Sequence, residues 1–388
     1  MTDPLNGVNR NTYDAQGNML TVSDKRGTIT EHRYDEMGRR TRTSKAGIDI
    51  ETLTYTPLGQ VATRTDANGN RTRFTHDRRG LVTSQVAADG ATTLTRRNAM
   101  GDVERTTDPE GRVTVVAFYA RRRQTSVTNP ANERTGFEYD LNNNKTAVVR
   151  PSGARTTYAY DNRNWLESVT EPESRTTRYG RDANGNLTGV TDGAGRSTAY
   201  GYDTMNRRDS VTYAGGATES LTHDAAGNLR QHIDANGVTV TRAFDALNRE
   251  TSRAFSASAD GLVSITTNYD ANSNPRTFTE NFASGPSRTT TTTYDAFDRP
   301  TLEEDGFGAT MAFTYDANGN RRSLRTQDGR STSYGFDALN RLTGTSSPAG
   351  SVAYRYDRSG LLVEQTWSNG TRTSTSHDAA GRPQRIEL

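Results

Sequence analysis

The sequence contains no cysteine, which excludes a disulfide framework, a thiol nucleophile and any zinc site built on cysteine. It also lacks an apolar run of about 18 residues, the length that a membrane-spanning helix needs. The first residues, Met-Thr-Asp-Pro-Leu-Asn-Gly, do not have the basic start and apolar segment of a signal peptide. Because 48 basic and 46 acidic residues leave a formal charge of only +2, no strong steering towards polyanions is expected. We therefore predict no nucleic-acid partner and no membrane span.

Hydrophobic residues are also scarce. They make up 31% of the 388 residues, whereas roughly 45 to 50% is usual in globular chains when glycine is counted. A thick hydrophobic core cannot be built from this composition. Disorder is still not expected, because 17 Tyr and 11 Phe recur in fixed columns, and disordered chains are poor in aromatic residues.

One short pattern recurs along the whole chain. A Thr-rich run leads to an anchor residue, which is followed by an Asp, a turn, a short strand and a second turn. The anchors are 21 residues apart up to Phe244, then 25 residues apart twice, and then 20 or 21 residues apart to the end. The aromatic and histidine anchors are Tyr13, Tyr34, Tyr55, His76, Phe118, Tyr139, Tyr160, Tyr202, His223, Phe244, Tyr269, Tyr294, Tyr315, Phe336, Tyr356 and His377. Arg97 and Arg181 occupy the same column, so 18 units share one register.

Each unit has the periodicity of strands. Large residues two apart, such as Tyr158 and Tyr160, lie on one face of a strand, and intervening small residues such as Thr157 lie on the other. After the anchor, an Asp can bond backbone N–H groups, and a Gly three residues later allows positive φ. These turn residues include Asp14 and Gly17, Asp35 and Gly38, Asp182 and Gly185, Asp224 and Gly227, and Asp316 and Gly319. A second turn half a period later makes each unit one β-hairpin.

The predicted fold is therefore all-β, with about 18 hairpins in one continuous antiparallel sheet. At roughly 4.8 Å per strand, 36 strands form a ribbon about 170 Å wide, which must curl. A single closed ring would be about 55 Å across, too wide for side chains to fill. We predict a spiral or hollow shell that spans residues 1–388 as a single repeat array.

The two lengthened 25-residue repeats, 245–294, are expected to hold their extra residues in second turns, at 256–261 and 283–287. The array has no evident polar cap at either end, although repeat arrays usually need atypical terminal units. We therefore expect it to be a segment of a longer protein.

Three motifs could carry chemistry, and a plainer interpretation is favoured for each. Turns such as Asp316-Ala-Asn-Gly-Asn320 resemble the opening of a calcium loop but lack the remaining features of an EF-hand. His76, His223 and His377 replace Tyr in the anchor column. Arg121-Arg122-Arg123 is an isolated basic run in a neutral chain. Nucleophile-elbow, Walker, zincin and dinucleotide motifs do not occur. We predict no enzymatic site, no metal and no cofactor.

The recurring Tyr-Asp-x-x-Gly-Asn/Arg, as in Tyr13-Asp14-Ala-Gln-Gly17-Asn18, resembles the YD repeats of the Rhs family. Similar repeats occur in teneurins and in the B and C subunits of insecticidal toxin complexes. The resemblance covers essentially the whole chain. It implies a β-strand spiral that forms a hollow shell, which in the bacterial members encloses a C-terminal toxin domain until delivery. We find no terminal conserved core, toxin domain or delivery domain, so the resemblance implies neither self-cleavage nor toxicity for these residues.

Two classes of function follow from this resemblance. The first is a non-catalytic structural scaffold that encapsulates a toxin or other cargo polypeptide, with the remaining domains of the parent protein as further partners. The second is a teneurin-like binding or adhesion module that recognises a carbohydrate or a cell-surface protein. Either class implies a secreted or cell-surface location, in a bacterium for the first.

Overall fold

The computed structural model describes residues 2–5, 7–119, 121–258 and 260–388, and its regular elements are all β-strands. Within these residues, no helix could cross a membrane. The strands are β1 (Arg10–Tyr13), β2 (Met19–Ser23), β3 (Ile29–Tyr34), β4 (Arg40–Lys45), β5 (Ile48–Tyr55), β6 (Val61–Asp66), β7 (Arg71–His76), β8 (Val82–Val86), β9 (Thr92–Arg97), β10 (Val103–Thr107), β11 (Val113–Phe118), β12 (Gln124–Thr128), β13 (Arg134–Tyr139), β14 (Lys145–Val149), β15 (Arg155–Tyr160), β16 (Leu166–Thr170), β17 (Thr176–Arg181), β18 (Leu187–Thr191), β19 (Ser197–Tyr202), β20 (Arg208–Thr212), β21 (Thr218–His223), β22 (Leu229–Ile233), β23 (Thr239–Phe244), β24 (Glu250–Phe255), β25 (Leu262–Tyr269), β26 (Pro275–Phe282), β27 (Arg288–Tyr294), β28 (Pro300–Glu304), β29 (Thr310–Tyr315), β30 (Arg321–Thr326), β31 (Ser331–Phe336), β32 (Leu342–Ser347), β33 (Gly350–Tyr356), β34 (Leu362–Trp367), β35 (Arg372–His377) and β36 (Pro383–Glu387).

Consecutive strands pair antiparallel to form one sheet of 36 strands. Within a unit, the ladder runs up to the anchor and shifts register just before it, as between Glu138 and Tyr139. Between units, most ladders are short, and β14 and β15 share only three pairs. Among the described strands, β1 pairs only with β2 and β36 only with β35, so the sheet is unclosed. The prediction of an all-β array of hairpins in one curled sheet is confirmed.

In the first turns, hydrogen bonds from the backbone to an Asp side chain stabilise the chain reversal. Asp14 Oδ1 accepts hydrogen bonds from the backbone N of Gln16 at 3.0 Å and of Asn18 at 2.8 Å. Gly17 has φ 85°, a conformation that L side chains disfavour. Where the glycine is replaced, Asn usually takes the left-handed conformation instead, as at Asn206 with φ 59°.

The two faces of the sheet differ in side-chain size. On one face, which we call the aromatic face, Phe137 lies opposite Val148 in the hairpin ladder. On the other, the small-residue face, Ala147 lies opposite Glu138 and is fully buried. The aromatic-face pattern repeats in the pairs Tyr158 with Val169, Tyr179 with Val190, and Tyr200 with Val211.

In the described part of the chain, the sheet is a single layer, and no second layer covers it. Among the described residues, only three hydrophobic side chains are buried: Ala91, Ala147 and Val211. The accessible surface is 23191 Å², whereas a compact protein of this mass exposes about 15,000 Å². The fold is therefore held by backbone ladders and by contacts along the sheet, and not by a central core.

The two long units agree with the sequence-based expectation only in part. The described residues of 256–261 and residues 283–287 lie between strands, as expected, but β25 and β26 are also lengthened to eight residues each. Their ladder continues to the pair Leu262 and Phe282, so the hairpin projects roughly 7 to 10 Å beyond its neighbours. We call the hairpin β25–β26 the lip. Its apolar and β-branched residues favour strand over loop. Of the insertion at 256–261, residue 259 lies outside the described residues.

Candidate functional site

The repeat places its turns at two edges of the sheet. We number the units by their anchors, from unit 1 with anchor Tyr13 to unit 18 with anchor His377. The first turns, from 14–18 to 378–382, form one edge, the first-turn rim. The second turns, from 24–28 to 367–371, form the opposite edge, the second-turn rim. All of the anchors named from the sequence, and also Arg97 and Arg181, are the last residues of odd-numbered strands.

Seven anchor tyrosines bind the preceding unit through their hydroxyl groups. Tyr160 donates to the carbonyl oxygen of Lys145 at 3.0 Å, and Tyr202 donates to that of Leu187 at 2.9 Å. Each acceptor begins an even-numbered strand and lies beyond the ladder that joins this strand to the next unit. The hydroxyl therefore supplies a donor where the backbone ladder has ended. The other five are Tyr34, Tyr55, Tyr269, Tyr294 and Tyr356.

An arginine at the end of many first turns connects one unit to the next. Arg39 Nε donates to Asp35 Oδ2 of its own turn at 2.8 Å. The Arg39 guanidinium lies 4.5 Å from the ring centre of Tyr55, the next anchor. Such a cation–π contact contributes about 0.5 to 1 kcal/mol at an exposed site. The same stacking occurs in the pairs Arg249 with Tyr269, Arg299 with Tyr315, and Arg341 with Tyr356.

Asparagines form a second link along the first-turn rim. Asn186 Nδ2 donates to Asp182 Oδ2 of its own turn and to Asn206 Oδ1 of the next, both at 2.8 Å. Links of this kind recur in alternate units between unit 7 and unit 16, with Asp298 as the acceptor in unit 14, so this part of the rim has a period of two units that sequence reasoning missed. The signal was available as pairs of asparagines 20 residues apart: Asn144 with Asn164, Asn228 with Asn248, and Asn320 with Asn340.

The first-turn carboxylates are stabilised in their charged form. A hydrogen bond from the Asn18 side chain is the largest influence on Asp14 and lowers its pKa. The Arg39 side chain lowers the pKa of Asp35 in the same way. Protonation would remove acceptor capacity from a group that receives several N–H bonds, and the turn would weaken. Side-chain bonds from asparagine likewise lower the pKa of Asp182 and Asp224.

Second turns near the start of the chain pack against first turns near its end. We call this contact the seam. Asn272 Nδ2 donates to Asp24 Oδ2 at 2.8 Å, which joins unit 1 to unit 13. Arg26 donates to Asp298 Oδ1 at 2.7 Å, and Lys45 Nζ lies 3.5 Å from Asp298 Oδ2. The Lys45 ammonium is also 5.4 Å from the ring centre of Phe297.

The seam continues unit by unit. Asn68 Nδ2 donates to Asp316 Oδ2 at 2.9 Å, and Asn318 Nδ2 donates to Asp66 Oδ2 at 2.7 Å. These contacts join unit 3 to unit 15. The next three joints are Arg341 with Asp89 at 3.5 Å, Ser359 Oγ with Asp108 Oδ2 at 2.9 Å, and the Arg382 guanidinium with the Glu133 carboxylate at 2.9 and 3.1 Å.

The regular offset of the seam gives the number of units in one turn of the spiral. From unit 1 to unit 6, each second turn meets the first turn of the unit twelve positions later. Twenty-three strand spacings of about 4.8 Å correspond to a circumference of about 110 Å and a diameter of about 35 Å. The 36 strands therefore form about one and a half coils whose edges are joined, and not a single ring.

The electrostatics of the seam favour charged carboxylates. Burial is the largest influence on Asp298 and raises its pKa, but hydrogen bonds from Asn272 and Asn274 and the charges of Arg26 and Lys45 outweigh it, so the pKa is lowered. For Glu133, the side chains of Asn129 and Arg382 lower the pKa. The pKa values of Asp108 and Asp316 are also lowered.

Other polar clusters in the described part of the chain do not assemble a catalytic triad. His232 Nε2 lies 3.0 Å from Glu219 Oε2, whose other oxygen accepts from the Tyr213 hydroxyl at 2.7 Å. His32 Nδ1 lies 3.2 Å from Thr43 Oγ1. Acyl transfer needs hydroxyl, imidazole and carboxylate in one chain of bonds, and neither cluster combines all three in that order. Among the same residues, no group of three His, Asp or Glu could hold a metal ion.

A sequence model of the RHS Repeat family matches residues 13–48, 55–92, 146–176, 160–197, 181–218, 223–254 and 315–352, together more than half of the chain. The chain belongs to the RHS repeat family. Most RHS matches begin at an anchor, so the family repeat and the structural hairpin share one register. A comparison with curated protein sequences found no match.

Solved structures share the RHS fold of this chain. The crystal structure of TcdB2-TccC3-Cdc42 matches with a TM-score of 0.82 at 17% identity, over 96% of this chain and 24% of that chain. TcdB2-TccC3 without its hypervariable C-terminal region gives 0.83 at 17% identity, over 97% and 24%. The Photorhabdus luminescens Tc holotoxin pore gives 0.81 at 17% identity, over the same shares. The RHS chain thus spans about a quarter of the length of these structures, and at this identity the likeness concerns the fold.

Proposed function

We propose that this RHS chain is a non-catalytic wall segment of a container that surrounds a polypeptide cargo. The observation that supports the proposal is the seam between units 1–6 and units 13–18. An open solenoid would leave both of its rims in solvent, whereas a coil whose edges are joined forms a continuous wall. With about 5 Å of side chain on the inner side of a wall about 35 Å across, the lumen is about 25 Å wide.

The same proposal extends to partners and location. The partners are the remaining domains of the parent protein and a toxin-like cargo polypeptide. We place the assembled protein outside the cell or at the surface of a bacterium. The support is the similarity in fold to chains solved as TcdB2-TccC3 and as a Tc holotoxin pore.

A protease-protection experiment tests the wall. A disordered peptide with one protease site is fused after Leu388, and its cleavage rate is measured. The seam variant Arg26→Gln with Arg382→Gln removes cross-coil bonds. The matched control Arg196→Gln with Arg330→Gln alters two arginines that pair only within their own second turns.

We expect cleavage in the seam variant to be about tenfold faster than in the unaltered and control proteins, because a loss of about 1.4 kcal/mol changes an opening equilibrium tenfold. Equal cleavage rates in all three proteins would contradict the container proposal. Small-angle scattering on the same samples reports whether the coil itself has opened.

The alternative, a module that binds glycans or a cell-surface protein, has weaker support. A cleft of about 1050 Å³ near the second-turn rim is lined by residues that include Met311, Leu324, Thr332 and Pro348. Ligand sites usually combine aromatic side chains with convergent polar groups. No aromatic residue is among the described residues that line this cleft.

A further inference from the structure

The anchor column contains an arginine at its ninth position, in the middle of the array. Arg181 is exposed, and its Nη1 donates to the carbonyl oxygen of Gly185 in its own first turn at 2.9 Å. The anchors of the neighbouring units, Tyr160 and Tyr202, are partly buried and donate to the preceding unit instead. Unit 9 therefore has neither the anchor ring nor the hydroxyl donor of its neighbours.

A cleft of about 380 Å³ lies beside this anchor, and we call it the Arg181 cleft. Its lining includes Trp165 and Leu166, just before and at the start of β16, and Tyr179 and Arg181 at the end of β17. These two strands are paired only over residues 168–170 of β16, so the backbone ladder ends before the cleft begins. The volume lies within the range of about 300 to 1,000 Å³ that is usual for small-molecule sites.

The Arg181 cleft offers the acceptor that an anchor hydroxyl uses elsewhere. Tyr160 donates to the carbonyl oxygen of Lys145, which lies 15 residues earlier. Leu166 precedes Arg181 by the same number of residues. It is the first residue of β16, as Lys145 is the first residue of β14. The backbone carbonyl of Leu166 is therefore the equivalent acceptor in unit 9.

The cleft also offers the stacking partners of an anchor ring. Trp165 ends its first turn, the position from which Arg39 stacks on Tyr55. It lies over the next first turn, as Arg39 does, because a Cβ added at Gly185 would be 3.0 Å from Trp165. The Arg163 guanidinium lines the same cleft, 5.0 Å from the Trp165 ring centre. A ring that enters the cleft would thus meet an aromatic surface and a cation, and both favour an electron-rich phenol.

We propose that the Arg181 cleft binds a tyrosine side chain of another polypeptide. The phenol ring stacks on Trp165 and beside Arg163, and its hydroxyl donates to the Leu166 carbonyl. The chain itself identifies this occupant, because equivalent carbonyls in seven other units accept from a tyrosine hydroxyl at 2.6 to 3.0 Å. The inference does not rest on the proposed function, since two neighbouring strands form the cleft whether or not the coil surrounds a cargo.

The open cleft predicts weak binding of a single side chain. For a free tyrosine derivative, we expect a Kd on the order of 1 mM, in line with the free energy that small ligands gain per atom. Phenylalanine has the same ring without the hydroxyl, so it should bind about fivefold more weakly. A tyrosine on a tethered polypeptide would reach a higher effective concentration and occupy the cleft more fully.

The two tryptophans of the sequence make the cleft observable in the full chain. Trp165 lines the cleft, and Trp367 begins a second turn at the opposite edge of the sheet. Fluorine NMR of the chain labelled with fluorotryptophan therefore gives one signal at the site and one internal control, which the variant Trp367→Phe assigns. On titration with N-acetyl-tyrosinamide, the Trp165 signal should shift and the Trp367 signal should stay in place. N-acetyl-phenylalaninamide should shift the Trp165 signal with about fivefold lower affinity.

Substitutions at the two arginine anchors give a matched pair of variants. Arg181→Tyr supplies the anchor ring from the chain itself, so it should fill the cleft and abolish the shift. Arg97→Tyr makes the same change at the other arginine anchor and should leave the binding unchanged. Circular dichroism verifies that both variants are folded.

Four results would each overturn the proposal: no shift of the Trp165 signal, equal shifts of both signals, equal affinity for the two amides, or binding retained in Arg181→Tyr. A methyl glycoside that shifts the Trp165 signal at the same concentrations would overturn it as well, because the cleft would then be a site for sugars.

Discussion

Replacing Tyr160 measures how much an anchor contributes to its own part of the array. Tyr160 is partly buried on the aromatic face, and its hydroxyl donates to Lys145 O at 3.0 Å. A fully buried Tyr removes about 150 to 250 Å² from water, so half-burial in a single layer corresponds to about 100 Å², or about 2.5 kcal/mol at 25 cal/mol per Å². The hydroxyl bond adds about 1 kcal/mol. We expect Tyr160→Ala to cost about 3.5 kcal/mol and Tyr160→Phe about 1 kcal/mol.

Hydrogen exchange followed by mass spectrometry is the appropriate assay, because in a quasi-one-dimensional array the loss should stay within one unit and its two interfaces. In Tyr160→Ala, amides across roughly residues 139–181 should exchange about 300-fold faster, and distant units should be unchanged. Thr157→Ala is the control, since Thr157 lies opposite Ala147 on the small-residue face. If Thr157→Ala accelerates exchange as much as Tyr160→Ala does, the assignment of the faces is wrong.

Three further predictions concern the seam and the turns. The folded-state pKa values of Asp298, Asp316 and Glu133 lie below the ordinary 3.8 for Asp and 4.5 for Glu, so the stability they contribute is complete above those ordinary values and is lost as the pH falls through the folded values. Small-angle scattering should show the coil opening only below about pH 4, and opening at pH 6 would contradict this. Gly227 has φ 91° and open space around an added Cβ, so Gly227→Ala should cost about 1 to 2 kcal/mol through backbone strain. Gly227→Asn should cost less in thermal denaturation, because Asn206 and Asn248 hold the same turn position at φ 59°. EDTA should leave the melting temperature unchanged, and a fall of many degrees would restore the calcium interpretation of the Asp-Ala-Asn-Gly-Asn turns.

The hairpins could be predicted from the sequence because their causes are local. Alternation at Tyr158 and Tyr160 indicates a strand, and Asp14 with Gly17 indicates a turn, whatever the rest of the chain does. The number of units in one turn of the spiral could not be predicted in the same way. It depends on small angles between neighbouring strands that accumulate over about two dozen strands, and no single residue specifies it.

The residues of the seam were missed for the same reason. Asp24, Arg26 and Asn272 occupy ordinary turn positions, and their partnership appears only once the coil has returned on itself. The lip was not predicted, because the lengthening of these units was assigned to the turns at 256–261 and 283–287, although Leu262 to Thr267 has strand composition. The hydrogen bonds of the tyrosine anchor hydroxyls could not be predicted either, because each acceptor is a backbone oxygen, which the sequence does not distinguish from any other.

The offset of twelve units has a consequence for how such a chain can change in evolution. Repeat genes gain and lose copies most simply in whole units, and each hairpin here would tolerate that locally. Deletion of a single hairpin from the middle of the array, however, would move every later first turn by one place against the earlier coil. Arg382 would then face a neighbour of Glu133, and Lys45 would no longer meet Asp298. Related sequences should therefore conserve the number of hairpins between two seam partners more strictly than the hairpins themselves. Partner positions about 250 residues apart should change together.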